Sequence, residues 1–239
     1  MVREVDVSEI IDKRGLSAFN IRLLVFGFLV VLFDGYDITA IGFAAPHIMR
    51  AWSITDQAAF GPALGASLVG MLLGAPFLGF TGDRLGRRWA IIASCLIFGI
   101  STWLAAFSST LTELVVLRLV AGIGIGGLMP NIIALTAEFA PRRFRATLII
   151  IMFSGVAFGG GLPGAISATL VPKYGWPALF VIGGIIPILV ALVCIFWLPE
   201  SIKYMVVRGD RQPEALRLLS KLVPDQHFDS EMQLTIRDR

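Results

Sequence analysis

The sequence predicts an all-α membrane protein of six spanning helices. Three observations carry this reading. Of 239 residues, 56% are hydrophobic and only 15% charged, whereas a soluble domain carries about 25% charge. The apolar residues gather into six runs, each long enough to cross a bilayer as a helix, which takes about 20 residues. The Lys and Arg residues fall almost entirely between alternate runs. The first observation excludes a soluble globular fold. The second excludes a membrane β-barrel, whose strands are short and alternate apolar with polar residues. Two cysteines, Cys95 and Cys194, lie inside the runs and read as small apolar residues, not as a disulfide scaffold or zinc site.

Residues 1–22 read as a polar N-terminal tail. Their mixture of Arg3, Glu4, Asp6, Glu9, Asp12, Lys13, Arg14 and Arg22 is unlike a secretory signal. The spans follow at 23–45, 57–81, 89–112, 114–137, 146–172 and 174–198, so that 23–198 forms one six-helix bundle. Their glycines and prolines are tolerated because neighbouring helices satisfy freed backbone groups. Residues 199–239 form a second polar segment. Within it Pro213 opens and Pro224 closes a stretch, Glu214–Leu222, whose apolar residues recur every three or four positions, a short amphipathic surface helix. Residues 225–239 read as a linker or frayed end.

Orientation follows from the basic residues. The first tail holds four, the 82–88 and 138–145 loops three each, and the segment from 199 seven; the other side has only Arg50 and Lys173, and Arg118 lies inside the fourth span. The positive-inside rule assigns the richer side, with both termini, to the cytoplasm. The net charge of +3 is thereby a topology signal and not a nucleic-acid-binding face.

Three charges inside the spans are the candidate machinery. An ionised group at the bilayer centre costs about 2.5–3.5 kcal/mol on insertion scales. Asp34 is the midpoint of the first span. Asp37 lies three residues on, so the two share a helix face about 4.5 Å apart along the axis, and Gly35 between them permits a local break. Such carboxylates can load a proton on one side and release it on the other; the structural alternative is a pair satisfied by neighbouring helices. Arg118 lies about one turn inside the outer end of the fourth span. It cannot be neutralised there and must pair or snorkel. Its partner is Asp37 or another helix, or else a substrate carboxylate held by bidentate bonds. Phe33, Tyr36 and Phe43 are candidates for stacking on an aromatic ring, or for packing. Glu113 and His47 read as rim residues.

The ordered run Gly79-Phe80-Thr81-Gly82-Asp83-Arg84-Leu85-Gly86-Arg87-Arg88 fills the tight turn between the second and third spans. A positive-inside loop would need its arginines but not its glycines or its aspartate, so Gly79, Asp83, Arg84, Gly86, Arg87 and Arg88 are candidates for a conformational gate. Gly122-x-Gly124-x-x-Gly127 matches a dinucleotide fingerprint by letters only: it lies mid-span with no strand before it. Close packing of helices through small residues explains it better, as it does the glycines at 155, 159, 160, 161 and 164. No Ser-His-Asp, His-Glu-x-x-His or Cys-x-x-Cys arrangement occurs, so the sequence indicates neither an enzyme nor a bound metal or cofactor.

The 79–88 run resembles the signature between the second and third helices of the major facilitator superfamily. Arg118 with Gly122, Gly124, Gly126 and Gly127 resembles its fourth-helix motif. Glu138-Phe-Ala-Pro141-Arg142-Arg143-Phe-Arg145 resembles its loop between the fourth and fifth helices, and Pro199-Glu200-Ser201 the close of the sixth. Asp34-Gly35-Tyr36-Asp37 with the small residues up to Pro46 resembles the aromatic acid:proton symporter family, importers of benzoate-type acids such as 4-hydroxybenzoate. The resemblance covers residues 10–222. It implies one half of a two-half bundle, a 3+3 inverted repeat, and proton coupling through Asp34 and Asp37. It further implies that Arg118, Tyr36 and Phe33 meet a small aromatic carboxylate. The expected activity is proton-coupled symport across the cytoplasmic membrane. A second six-helix half, in cis or as another chain, is needed because alternating access takes two bundles. A sugar or other metabolite porter of the same superfamily is one alternative. A truncated or split half without transport of its own is another.

Overall fold

The structure is a computed structural model that describes residues 4–13, 15–208, 211–222 and 233–235. In chain order it consists of strand β1 (Glu4–Asp6), helices α1 (Val7–Lys13) and α2 (Ala18–Ala51), a 3-10 turn at Ala58–Phe60, then α3 (Gly61–Leu85), α4 (Arg87–Ala105), α5 (Leu111–Phe139), α6 (Arg142–Thr169), α7 (Val171–Tyr174), α8 (Pro177–Trp197), α9 (Ile202–Arg208), α10 (Gln212–Leu222) and strand β2 (Gln233–Thr235). Six of them, α2, α3, α4, α5, α6 and α8, are long and apolar enough to cross a membrane, the six spans that the sequence predicts. Their boundaries differ in instructive ways. α2 runs on through Pro46 to Ala51, because one lost N–H bond inside a packed bundle does not end a helix. α3 reaches Leu85, so Gly82, Asp83 and Arg84 form its last turn. The predicted loop contracts to Gly86, whose φ of +106° is a conformation that favours glycine.

The tightest helix pairings are α3 with α5, α2 with α6, α4 with α5 and α4 with α8. Exchanging the first three spans for the last three turns the α2–α6 pair into α5–α3 and leaves α4–α8 in place. An odd number of spans per unit reverses the second unit across the membrane, so this is the packing of a 3+3 inverted repeat. Glycines set the close pairs. A Cβ on Gly70 or Gly74 would land on the carbonyl oxygens of Leu119 or Ile123 of α5, and one on Gly35 would land on that of Val156 of α6. α2 stays helical through Gly35, so this glycine serves contact and not the local break expected of it. The order α3, α5, α2, α6 leaves α3 and α6 as the edges, with α4 and α8 behind.

A small layer covers the Arg-rich end. Val7, Met205, Ala215, Leu219 and Leu234 are buried in the same core as α2 and α5. The apolar face of α10 is therefore turned into the protein and not toward a membrane surface. β1 and β2 pair in parallel, Val5 opposite Leu234. Residues 233–235, expected in a linker or frayed end, are thus a strand; the remainder of 223–239 lies outside the described residues.

Candidate functional site

The three intramembrane charges meet where the two repeats face each other. Asp37 comes from α2 and Arg118 from α5, and each is only 1% exposed. Arg118 Nη1 donates to Asp37 Oδ1 at 2.5 Å, and Nη2 to the Asp37 carbonyl at 3.2 Å. Thr102 Oγ1 of α4 stands 3.5 Å from the same carboxylate oxygen, and the guanidinium lies 5.9 Å from the Phe180 ring centroid. The pair is incompletely satisfied: Asp37 Oδ2 and Arg118 Nε are buried without hydrogen-bond partners. Asp34 lies one turn nearer the basic end and is also buried, with no hydrogen-bond partner for Oδ1. One cation and two carboxylates thus occupy an apolar interior, and a single ion pair accounts for two of the three.

Phe33 and Tyr36 do not join them as an open stacking surface. α4 and α8 pack behind α2, and both rings turn that way. The Tyr36 hydroxyl donates to the Leu179 carbonyl at 2.8 Å, and its ring lies against Gly183. Phe33 is buried and lines a small gap with Cys95, Phe98, Leu128 and Pro187. Both are core residues of the bundle. Gly122, Gly124 and Gly127 are buried against Ser67, Phe98 and Leu78, as helix packing requires.

A second polar cluster lies at the basic end. Arg87 bridges Glu138 at 2.8 Å and Asp83 at 3.4 Å. Ser201 Oγ donates to the other Glu138 oxygen at 2.5 Å. Glu200 accepts from the backbone N–H of Arg88 at 3.1 Å, while Arg88 Nη2 donates to the Ile195 carbonyl. The tail of one repeat is thereby tied to the turn of the other. Arg84 rests on the Phe80 ring, 4.2 Å from its centroid, and Gly79 is only in ordinary contact with Pro130. Asn131, which the sequence reading missed, donates to the carbonyls of Leu78 and Gly127 and fills the space beside Gly82. Its signal was an amide in an otherwise apolar run. Among the described residues no three His, Cys, Asp or Glu side chains converge to hold a metal ion.

Residues 27–230 match the family described as the Major Facilitator Superfamily. The chain belongs to that superfamily. Members of this superfamily are transporters and not enzymes, and the chain is a multi-pass membrane protein. Among superfamily relatives, the 4-hydroxybenzoate transporter PcaK of Pseudomonas putida is 39% identical over 93% of this chain and 49% of its own length. The gallate transporter of Pseudomonas putida is 40% identical over 91% of this chain and 48% of its own. The benzoate transport protein of Acinetobacter baylyi is 38% identical over 97% and 50%. The chain spans about half the length of the curated relatives it matches. Among solved superfamily structures, the proton:xylose symporter XylE bound to 6-bromo-6-deoxy-D-glucose superposes with a TM-score of 0.75 at 23% identity, covering 86% of this chain and 50% of that one. At that identity the likeness concerns the fold.

Proposed function

We propose that this chain is the N-terminal half of a proton-coupled symporter for a small aromatic carboxylate. It would sit in the cytoplasmic membrane with its basic end inside, and work with a second six-helix half. The observation that carries the reading is the buried trio: a guanidinium held by Asp37 on one side only, beside Asp34, a carboxylate without a counter-ion. A carboxylate substrate approaching Arg118 competes with Asp37 for its N–H groups, and Asp34 is the group at hand to take up and release the coupled proton. An arginine offers a planar fork that fits a carboxylate. The aromatic character of the substrate is supported by the relatives, whose names refer to 4-hydroxybenzoate, gallate and benzoate. The sugar alternative rests on structures at 23% identity and is weaker for that reason. Phe33 and Tyr36 are not proposed as substrate contacts.

The test is uptake of labelled 4-hydroxybenzoate by cells that hold this chain with its second half. Accumulation driven by a pH gradient is expected to vanish in Asp34→Asn while exchange of labelled for unlabelled acid persists. Undiminished accumulation by Asp34→Asn, with its usual pH dependence, would reject the proton role. The chain without a second half is expected to accumulate nothing.

A further inference from the structure

We propose that the cleft between α1, α5, α6 and α9 at the basic end is a binding site for a small organic monoanion, a carboxylate on a compact apolar body, and that Arg145 anchors it. The site lies apart from the buried trio of Asp34, Asp37 and Arg118, and its ligand class follows from the cleft alone, so it does not rest on the transport reading.

The cleft has a volume of about 220 Å³, below the roughly 300–1,000 Å³ of sites for drug-sized molecules. Its occupant is correspondingly small. Its walls are fastened on several sides. α1 is held by the burial of Val7 and Ile10, by the pairing of β1 with β2, and by Asp12, whose Oδ1 accepts the Arg142 N–H at 2.9 Å. The chain that follows is tied to α5, where Asn20 Nδ2 donates to the Phe139 carbonyl at 2.6 Å. A cleft so held needs little reorganisation to accept a ligand.

Five charged residues line it: Asp12, Arg87, Glu138, Arg145 and Lys203. Four are already engaged. Arg87 bridges Glu138 at 2.8 Å, Ser201 Oγ donates to Glu138 at 2.5 Å, Asp12 Oδ2 lies 3.2 Å from Arg142 Nε, and Lys203 stands in the field of Glu138. The Arg145 side chain has no ion pair or hydrogen bond among the described residues, and its Nε is buried without a partner. A guanidinium cannot shed its charge, and an unmet donor on a charged group is costly. A carboxylate meets such a group with two parallel hydrogen bonds.

Charge and shape narrow the class. One unpaired cation calls for one negative charge. A phosphate dianion or a nucleotide brings more, and Asp12 and Glu138, which share the cleft, repel the excess. The rest of the lining is Val7, Ile11, Ala134, Ala137 and Ile202. These side chains offer a second polar group no partner, but they offer a ring or short chain apolar area to cover.

The experiment uses the full chain purified in detergent, with Ala137→Cys in the cleft as reporter. Cys95 and Cys194 are buried and supply only a slow background. Benzoate is the probe, and the rate of labelling by a maleimide is read against its concentration. Saturable protection is expected. Arg145→Gln is expected to raise the half-protecting concentration about tenfold, the worth of one hydrogen bond to a charged group; Arg145→Lys, which keeps the charge without the fork, should raise it less. Inorganic phosphate has the charge alone and benzyl alcohol the apolar body alone, and each should protect at least about tenfold more weakly. Absence of protection by benzoate, or protection that Arg145→Gln leaves unchanged, would overturn the proposal. Equal protection by phosphate would overturn the ligand class. If Arg145→Gln fails to accumulate, Arg145→Lys decides, and an unchanged half-protecting concentration there would overturn it; Ala134→Cys replaces a reporter that fails. No uptake is measured, so protection without accumulation of 4-hydroxybenzoate would reject the transport reading and leave this site standing.

Discussion

Asp34 and Arg118 are both buried charges, yet substituting them should have opposite consequences. Arg118→Leu strands Asp37 in an apolar interior, and breaking a buried pair in this way costs about 3–5 kcal/mol. A clear fall in the melting temperature of the detergent-solubilised protein is expected, and Asp37→Asn in the same chain should recover part of it. Asp34→Asn removes a carboxylate that has no counter-ion and keeps its shape. Its melting temperature should stay level or rise while accumulation is lost, and a large destabilisation would show that Asp34 is a structural pair member after all. At this scale the three charges were legible in the sequence because a charge inside a span is costly enough to stand out. Their pairing was not. Whether Arg118 meets Asp37, another helix or a substrate carboxylate, and whether Tyr36 points inward, depends on how each helix is rotated, and spacing along one helix does not determine that.

Glycine density announced close helix packing, but not which glycine meets which neighbour. Gly35 and Gly161 look alike as letters. A Cβ at Gly35 collides with the Val156 backbone, whereas at Gly161 there is open space. Gly35→Ala should therefore push α2 and α6 apart and lower thermal stability. Gly161→Ala should raise stability slightly, by the roughly 0.5–1 kcal/mol that alanine gains over glycine inside a helix. Thermal unfolding of the two variants side by side checks this, and equal destabilisation would refute the assigned packing. Helix ends were the least legible elements. The first polar tail contributes a strand, a helix and the first turn of α2. Its ties to α5 and α6 span more than a hundred residues, and no local pattern encodes them.

For the whole molecule, the sequence sorts its charges sharply: seventeen of 20 basic residues lie in the segments that the predicted topology assigns to one side. The inverted repeat followed from the resemblance and appears physically in the pairing of α2 with α6 and α3 with α5. The side that faces the cytoplasm is open to a direct check. A cysteine at Asp56 should react with an impermeant reagent in whole cells, and one at Arg84 only in inside-out vesicles; the reverse would turn the proposed orientation over. The edge helices also carry broadly exposed apolar residues, Leu72 and Phe77 on α3 and Ile150 and Phe158 on α6. Patches of this extent are interaction surfaces for lipid or for another bundle.

The short parallel pairing of β1 with β2 has a bearing on how the protein is made. A strand that opens at Glu4 must wait for a partner at Gln233, and a ribosome needs about ten to fifty seconds to deliver that partner. All six spans are threaded into the membrane in the meantime. The two-stranded seam is therefore a late stitch for this bundle: it can be drawn only after the spans between its ends have been synthesised, and a chain stalled on the way leaves its N-terminal strand unclaimed.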